Sequence, residues 1–100
     1  MNCSGILASD MLATVRSTQF RRDVKRAEAR GKNLGKLREI LALLIRETPL
    51  PGRYRDHRLR GSWQRHREAH IEPDWLLIYR IDGDRLHLVR TGSHSDLFRE

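Results

Sequence analysis

Apolar residues along this chain recur first at helical and then at strand spacing. Leu12-Ala13-Thr14-Val15-Arg16 is short, apolar and β-branched, which predicts an opening strand. Phe20, Val24 and Ala27 follow at helical intervals, opposite Arg21, Arg22, Lys25 and Arg26, and Ser17 or Thr18 stands ready to cap the first turn. Gly31 ends that helix. The next one carries the strongest period in the chain: Leu34, Leu37, Ile40, Leu41, Leu44 and Ile45 form one stripe, which reads as hydrophobic core. Pro49, Pro51 and Gly52 break it and open a loop running from Tyr54 to Arg60.

The remainder reads as strands. Ser62 to Ala69 alternates poorly but holds few helix signals, and Trp75 to Ile81 is a continuous apolar run suited to a central strand. Asp82-Gly83-Asp84 supplies turn chemistry before Arg85 to Arg90, where Leu86 and Leu88 alternate with His87 and Val89. Thr91-Gly92-Ser93 closes that strand and leaves His94 at the mouth of a last turn ending at Leu97 and Phe98. The order β-α-α-β-β-β predicts an α+β domain: an antiparallel sheet of about four strands with two N-terminal helices on one side.

Length and charge narrow the function. One hundred residues, 38% of them apolar, suit a single compact domain. A formal net charge of +7 favours a polyanionic partner, either nucleic acid or an acidic protein. No apolar run approaches the roughly 20 residues that span a bilayer, and no secretory signal is visible, so no membrane role and a cytoplasmic location are expected. A lone cysteine, Cys3, forms no internal disulfide. Residues 1–10 contain no basic side chain and are followed by Met11, which suggests an N-terminal extension ahead of a domain spanning 11–100.

All five histidines lie between His57 and His94, among arginines. Imidazole exchanges protons near neutral pH and guanidinium grips phosphate, a pairing that points to RNA cleavage. Metal-free cleavage needs a base for the ribose 2′-hydroxyl, an acid for the departing 5′-oxygen and a cation for the charge on phosphate. His57, His70 and His94 are the candidates for proton transfer and Arg90 for the cation, while Asp74 orients a histidine or acts as base. His66 and His87 read as structural. Arg53, Arg55, Arg58, Arg60, Arg65 and Arg67 face only Asp56 and Glu68, so this stretch is expected to hold the RNA backbone without reading sequence. A metal on His57, His70, Asp74 and His94 is the chemical rival, but no helical His-x-x-x-His or Cys-x-x-Cys spacing supports it and no cofactor is called for. A binding module without catalysis is the rival of a different class.

Three blocks carry a family resemblance: Asp56-His57-x-Leu59-x-Gly61-Ser62-Trp63, then Arg67 through Tyr79, then Arg90 through Phe98. In order and spacing they closely resemble the YafQ-type toxins of the RelE/ParE superfamily, from about residue 12 to the end. The resemblance implies a RelE-like fold and a ribosome-dependent endoribonuclease of a type II toxin–antitoxin pair, cutting messenger RNA in the ribosomal A site. Its implied partners are messenger RNA, the ribosome with its rRNA, and a cognate acidic antitoxin, with promoter DNA reached only through the antitoxin complex. By position it assigns catalysis to His57, His70, Asp74, Arg90 and His94 and substrate contact to Phe98. Trp75 belongs to the same block and is expected at the substrate, with burial in the core as the competing reading.

Overall fold

The structure, a computed structural model, describes residues 11–98; the proposed extension over 1–10 lies outside them. Its elements are β1 (Ala13–Arg16), α1 (Thr18–Ala29), α2 (Leu34–Ile45), β2 (His57–Arg58), β3 (Arg67–Glu72), β4 (Trp75–Asp82), β5 (Arg85–Gly92) and α3 (His94–Phe98). Single 3-10 turns at Gly52–Tyr54 and Gly61–Trp63 punctuate the middle of the chain.

The sheet has the order β1-β5-β4-β3-β2, with β1 parallel to β5 and the other neighbours antiparallel. The expected four-stranded antiparallel sheet is thus a five-stranded mixed one. β1 and β5 meet only in the tertiary fold, and a periodic pattern names a strand without naming its neighbour or direction. The expected strand over Ser62–Ala69 is corrected as well. His66 N–H bonds Trp63 O at 2.8 Å and Leu59 N–H bonds His66 O at 3.0 Å, so this stretch closes on itself as a loop and β3 begins at Arg67.

Both helices pack on one sheet face. Phe20 and Ala27 of α1 and Leu37, Ile40 and Leu44 of α2 share a core with Trp75, Leu77, Tyr79, Leu86 and Leu88. On the opposite face Leu76 and Ile78 pack with Leu97, flanked by Leu59, Trp63, Val89 and Phe98. β4 therefore buries both faces, which is why its sequence runs apolar without alternation.

Past Arg16 the edge of β5 is closed by α1 instead of a strand. Ser17 N–H bonds Leu88 O, and the Ser17 hydroxyl donates to Val89 O while accepting from Phe20 N–H as the helix cap. One turn on, the buried Asp23 carboxylate accepts the Thr91 N–H at 3.1 Å. At the other end of β5, Ser93 and Asp96 cap α3 reciprocally: Asp96 accepts the Ser93 N–H and the Ser93 hydroxyl accepts the Asp96 N–H. Gly92 permits this sharp return, since a Cβ there would lie 2.9 Å from the Asp96 Cβ.

Candidate active site

Strand alternation gathers the first group. Glu68 and His70 lie two residues apart on β3 and so share a sheet face, and His57 of β2 stands directly across from Glu68. Glu68 is only 5% exposed. Its Oε1 lies 3.4 Å from His57 Nε2 and 3.5 Å from His70 Nε2. His57 Nδ1 meets the Arg55 carbonyl at 2.7 Å, an acceptor only, so that nitrogen carries the hydrogen and Nε2 faces the carboxylate. His70 Nδ1 is buried without a partner.

The second group forms where β4 begins and β5 ends. Leu76 pairs with Gly92, which sets the Pro73-Asp74 turn beside His94. Asp74 Oδ1 accepts the His94 backbone N–H at 2.9 Å and meets the ring Nδ1 at 2.6 Å. Those two hydrogen bonds, backbone first, hold the Asp74 carboxyl below its ordinary range. With Nδ1 given to Asp74, His94 Nε2 is free for a substrate.

Both groups join in one row of rings. His57 stacks on His70 at 5.8 Å between centroids, His70 lies 6.0 Å from His94, and His94 lies 6.4 Å from Phe98. Trp63 continues the row 6.5 Å beyond Phe98, edge to face. The row thus sets two imidazole–carboxylate units side by side and ends in apolar rings able to stack a base.

Asp56 ties His57 to the sheet. Its Oδ1 accepts from the Tyr79 hydroxyl at 2.5 Å and from Arg67 Nε at 3.1 Å. Burial, then the hydrogen bond to Asp56, pushes the Tyr79 hydroxyl well above its ordinary value.

The predicted residues divide accordingly. His57, His70, Asp74, His94 and Phe98 come together. Trp75 corrects the expected substrate contact: it is 1% exposed in the core, its indole N–H donating to the Thr91 hydroxyl at 3.0 Å, because β4's pleat turns it under the helices. Arg90 is turned to α1, where Nε and Nη2 bond Asp23 at 2.7 and 3.2 Å. Arg67 is held by Asp56, whereas Arg58, Arg60 and Arg65 are exposed. His66 and His87 line a separate cavity of about 250 Å³ with Arg80, and burial, then Arg80, holds the His66 imidazole below its ordinary value.

Glu68, Asp23 and Asp96 were absent from the sequence candidates. Only Glu68 carried a signal, two positions before His70 on the same strand. Among the described residues, His57, Glu68 and His70 also form a set able to ligate a metal ion, with ligand atoms within 4.8 Å of one another. It replaces the rival set predicted above, since Asp74 is engaged with His94.

A family model described as a bacterial toxin of type II toxin-antitoxin system, YafQ, matches residues 12–99. The mRNA interferase toxin YafQ of Escherichia coli strain K12 is 49% identical over 83 residues, 82% of this chain and 90% of that protein. The crystal structure of the E. coli DinJ-YafQ toxin-antitoxin complex matches with 45% identity and a TM-score of 0.82, covering 88% of this chain and 98% of that one. A metal-bound toxin from Helicobacter pylori matches with 41% identity and a TM-score of 0.83, over 88% of this chain and all (100%) of that one. Fold, site and sequence together define a bacterial toxin of the type II toxin–antitoxin class. Within that class, the chain belongs to the YafQ family.

Proposed function

We propose that this protein is an mRNA interferase, an endoribonuclease that cuts messenger RNA in the ribosomal A site by metal-free attack of the ribose 2′-hydroxyl. One observation carries the reading: two imidazole–carboxylate units, Glu68 with His57 and His70 and Asp74 with His94, face each other with 6.0 Å between the His70 and His94 rings. A phosphodiester group lying along the edges of these two rings is within reach of both imidazoles. One unit removes the 2′-hydroxyl proton, the other protonates the departing 5′-oxygen, and each contributes on the order of 10² to 10⁴ in rate. Phe98 stacks the neighbouring base, and Arg58, Arg60 and Arg65 hold the backbone. Arg90, with Asp23 holding its Nε and Nη2, supplies the cation for the charge on the phosphate, and Arg67 acts through Asp56 by fixing the strands that carry the site.

An acidic antitoxin masks this face in the cell, as the +7 charge favours; the E. coli relative is known in complex with DinJ. No helix among the described residues is long and apolar enough to cross a membrane, and the ribosomal substrate places the protein in the cytoplasm.

The test adds purified protein to translating ribosomes and, separately, to naked message, and maps the ends. Cutting confined to ribosomes, with 2′,3′-cyclic phosphate and 5′-hydroxyl ends, is the expected result. No cutting in either sample sinks the enzyme in favour of a non-catalytic toxin or RNA-binding module, and 5′-phosphate ends overturn the 2′-hydroxyl route.

A second reading follows from the metal-bound H. pylori relative. Two imidazoles and a carboxylate suit a divalent transition metal, which His57, Glu68 and His70 would hold and which would supply a charge beside the phosphate. Activity lost to EDTA and restored by zinc or manganese favours it over the metal-free route.

A further inference from the structure

Among the described residues β2 pairs with Arg67 and Glu68 alone, and the rest of β3 has no strand on that side. Against this stretch lies a cavity of about 680 Å³, walled by α2 at Lys36 and Glu39, by Arg53 to Arg55, and by His70 through Pro73. His70 belongs to both the cavity wall and the imidazole row; its ring shares the sheet face of Leu76 while the cavity opens on the helix side, so an RNA chain passes from one to the other around the free edge of β3. We propose that this cavity is a second nucleotide subsite, taking the RNA residue on the far side of the scissile linkage from the base at Phe98. The proposal rests on the nuclease reading above for its position along the RNA.

Size and charge both fit. The volume lies within the range of small-ligand sites and exceeds the need of one nucleotide. Glu72 is bound by both Lys32 and Lys36, at 3.0 and 2.9 Å, which leaves Arg53 and Arg55 with Glu39 as the remaining carboxylate of the wall. Arg53 is exposed and laid on Tyr54: its guanidinium lies 4.8 Å over the Tyr54 ring and Nη2 bonds the Tyr54 hydroxyl at 2.9 Å. A planar cation held on an aromatic ring is a platform for a base or a fork for a phosphate. Arg55 adopts a left-handed conformation, φ 48° and ψ 44°, rarely taken by a side chain of its kind. That backbone turn presents the Arg55 carbonyl to His57 Nδ1, so one residue lines the cavity and orients an imidazole.

The experiment measures binding of a fluorescein-labelled RNA hexamer, 2′-O-methylated throughout so that it is not cut, and of versions shortened from the 5′ or the 3′ end. Arg53→Ala weakens the hexamer on the order of tenfold, the size of one lost stacking platform. Shortening from one end only costs the wild type a similar factor, and on that shortened oligomer Arg53→Ala costs nothing more. Arg53→Lys recovers only part of the loss, since charge returns without the planar fork. Unchanged hexamer binding in Arg53→Ala, or an equal loss on every oligomer, overturns the subsite. So does a variant that binds all oligomers normally but loses affinity for the antitoxin, which would assign the cavity to that protein. Ribosomal cleavage by the wild type is scored separately: its absence, with the hexamer pattern intact, defeats the nuclease reading and leaves an RNA subsite.

Discussion

Asp74 and His94, twenty positions apart, meet through a single oxygen: Asp74 Oδ1 takes both the backbone N–H and the ring Nδ1 of His94. This double contact sets the tautomer and the direction of the ring together. Asp74→Asn is expected to lower ribosomal cleavage at least tenfold while leaving the fold intact, because both side chains are largely solvent-facing. Wild-type turnover in that variant would remove Asp74 from the mechanism.

Glu68 is the centre of the other unit. Glu68→Gln keeps the shape but not the negative charge between His57 Nε2 and His70 Nε2. A loss of cleavage on the order of 10² is expected, with antitoxin binding retained. If the variant instead cuts normally, His94 and Asp74 suffice alone.

Acid sensitivity follows from three carboxyls. Hydrogen bonds from Lys36 and Lys32 lower Glu72, those from His94 lower Asp74, and the Arg30 guanidinium holds Asp96 far below the usual carboxylate range. Each folded value is depressed, so each contribution is present above the unfolded values near pH 4 and fades as pH falls through the folded ones. Urea midpoints should therefore drop below about pH 4, and Asp96→Asn should flatten that drop most. An identical acid slope in wild type and Asp96→Asn would contradict the assignment.

Tyr79 gives the opposite end of the scale. Its hydroxyl stays neutral in the fold where the unfolded chain ionises, near pH 10, so stability is full below that pH and declines as pH rises past it. Tyr79→Phe should lose about 1 kcal/mol at pH 7 through the missing bond to Asp56, and should show a shallower alkaline decline. Chemical denaturation at pH 7 and above pH 10 reads both.

Asp23 gathers Gln19, Arg26, Arg90 and the Thr91 N–H on one buried carboxylate. Asp23→Ala leaves Arg90 and that N–H unpaired and should cost about 3 kcal/mol, the usual penalty for breaking a buried pair. A urea midpoint shift of less than a third of that size would mean solvent replaces the carboxylate.

Much of this molecule is legible from short-range order. The stripe from Leu34 to Ile45 needs only the helical repeat, and the apolar run from Trp75 to Ile81 announces a strand buried on both faces. Histidines set in matched blocks raised the expectation of acid/base chemistry, and His57, His70, Asp74 and His94 do assemble.

Pairing is what local order leaves out. Once β2 stands against β3, Glu68 falls between two imidazoles; once Trp75 turns under α1 and α2, an aromatic of the same motif leaves the substrate side; once α1 covers the open edge of β5, Arg90 meets Asp23. A residue's type and spacing settle which face of its own element it occupies. Which neighbour covers that face depends on contacts between segments far apart in the chain, and those exist only when the whole sheet has formed.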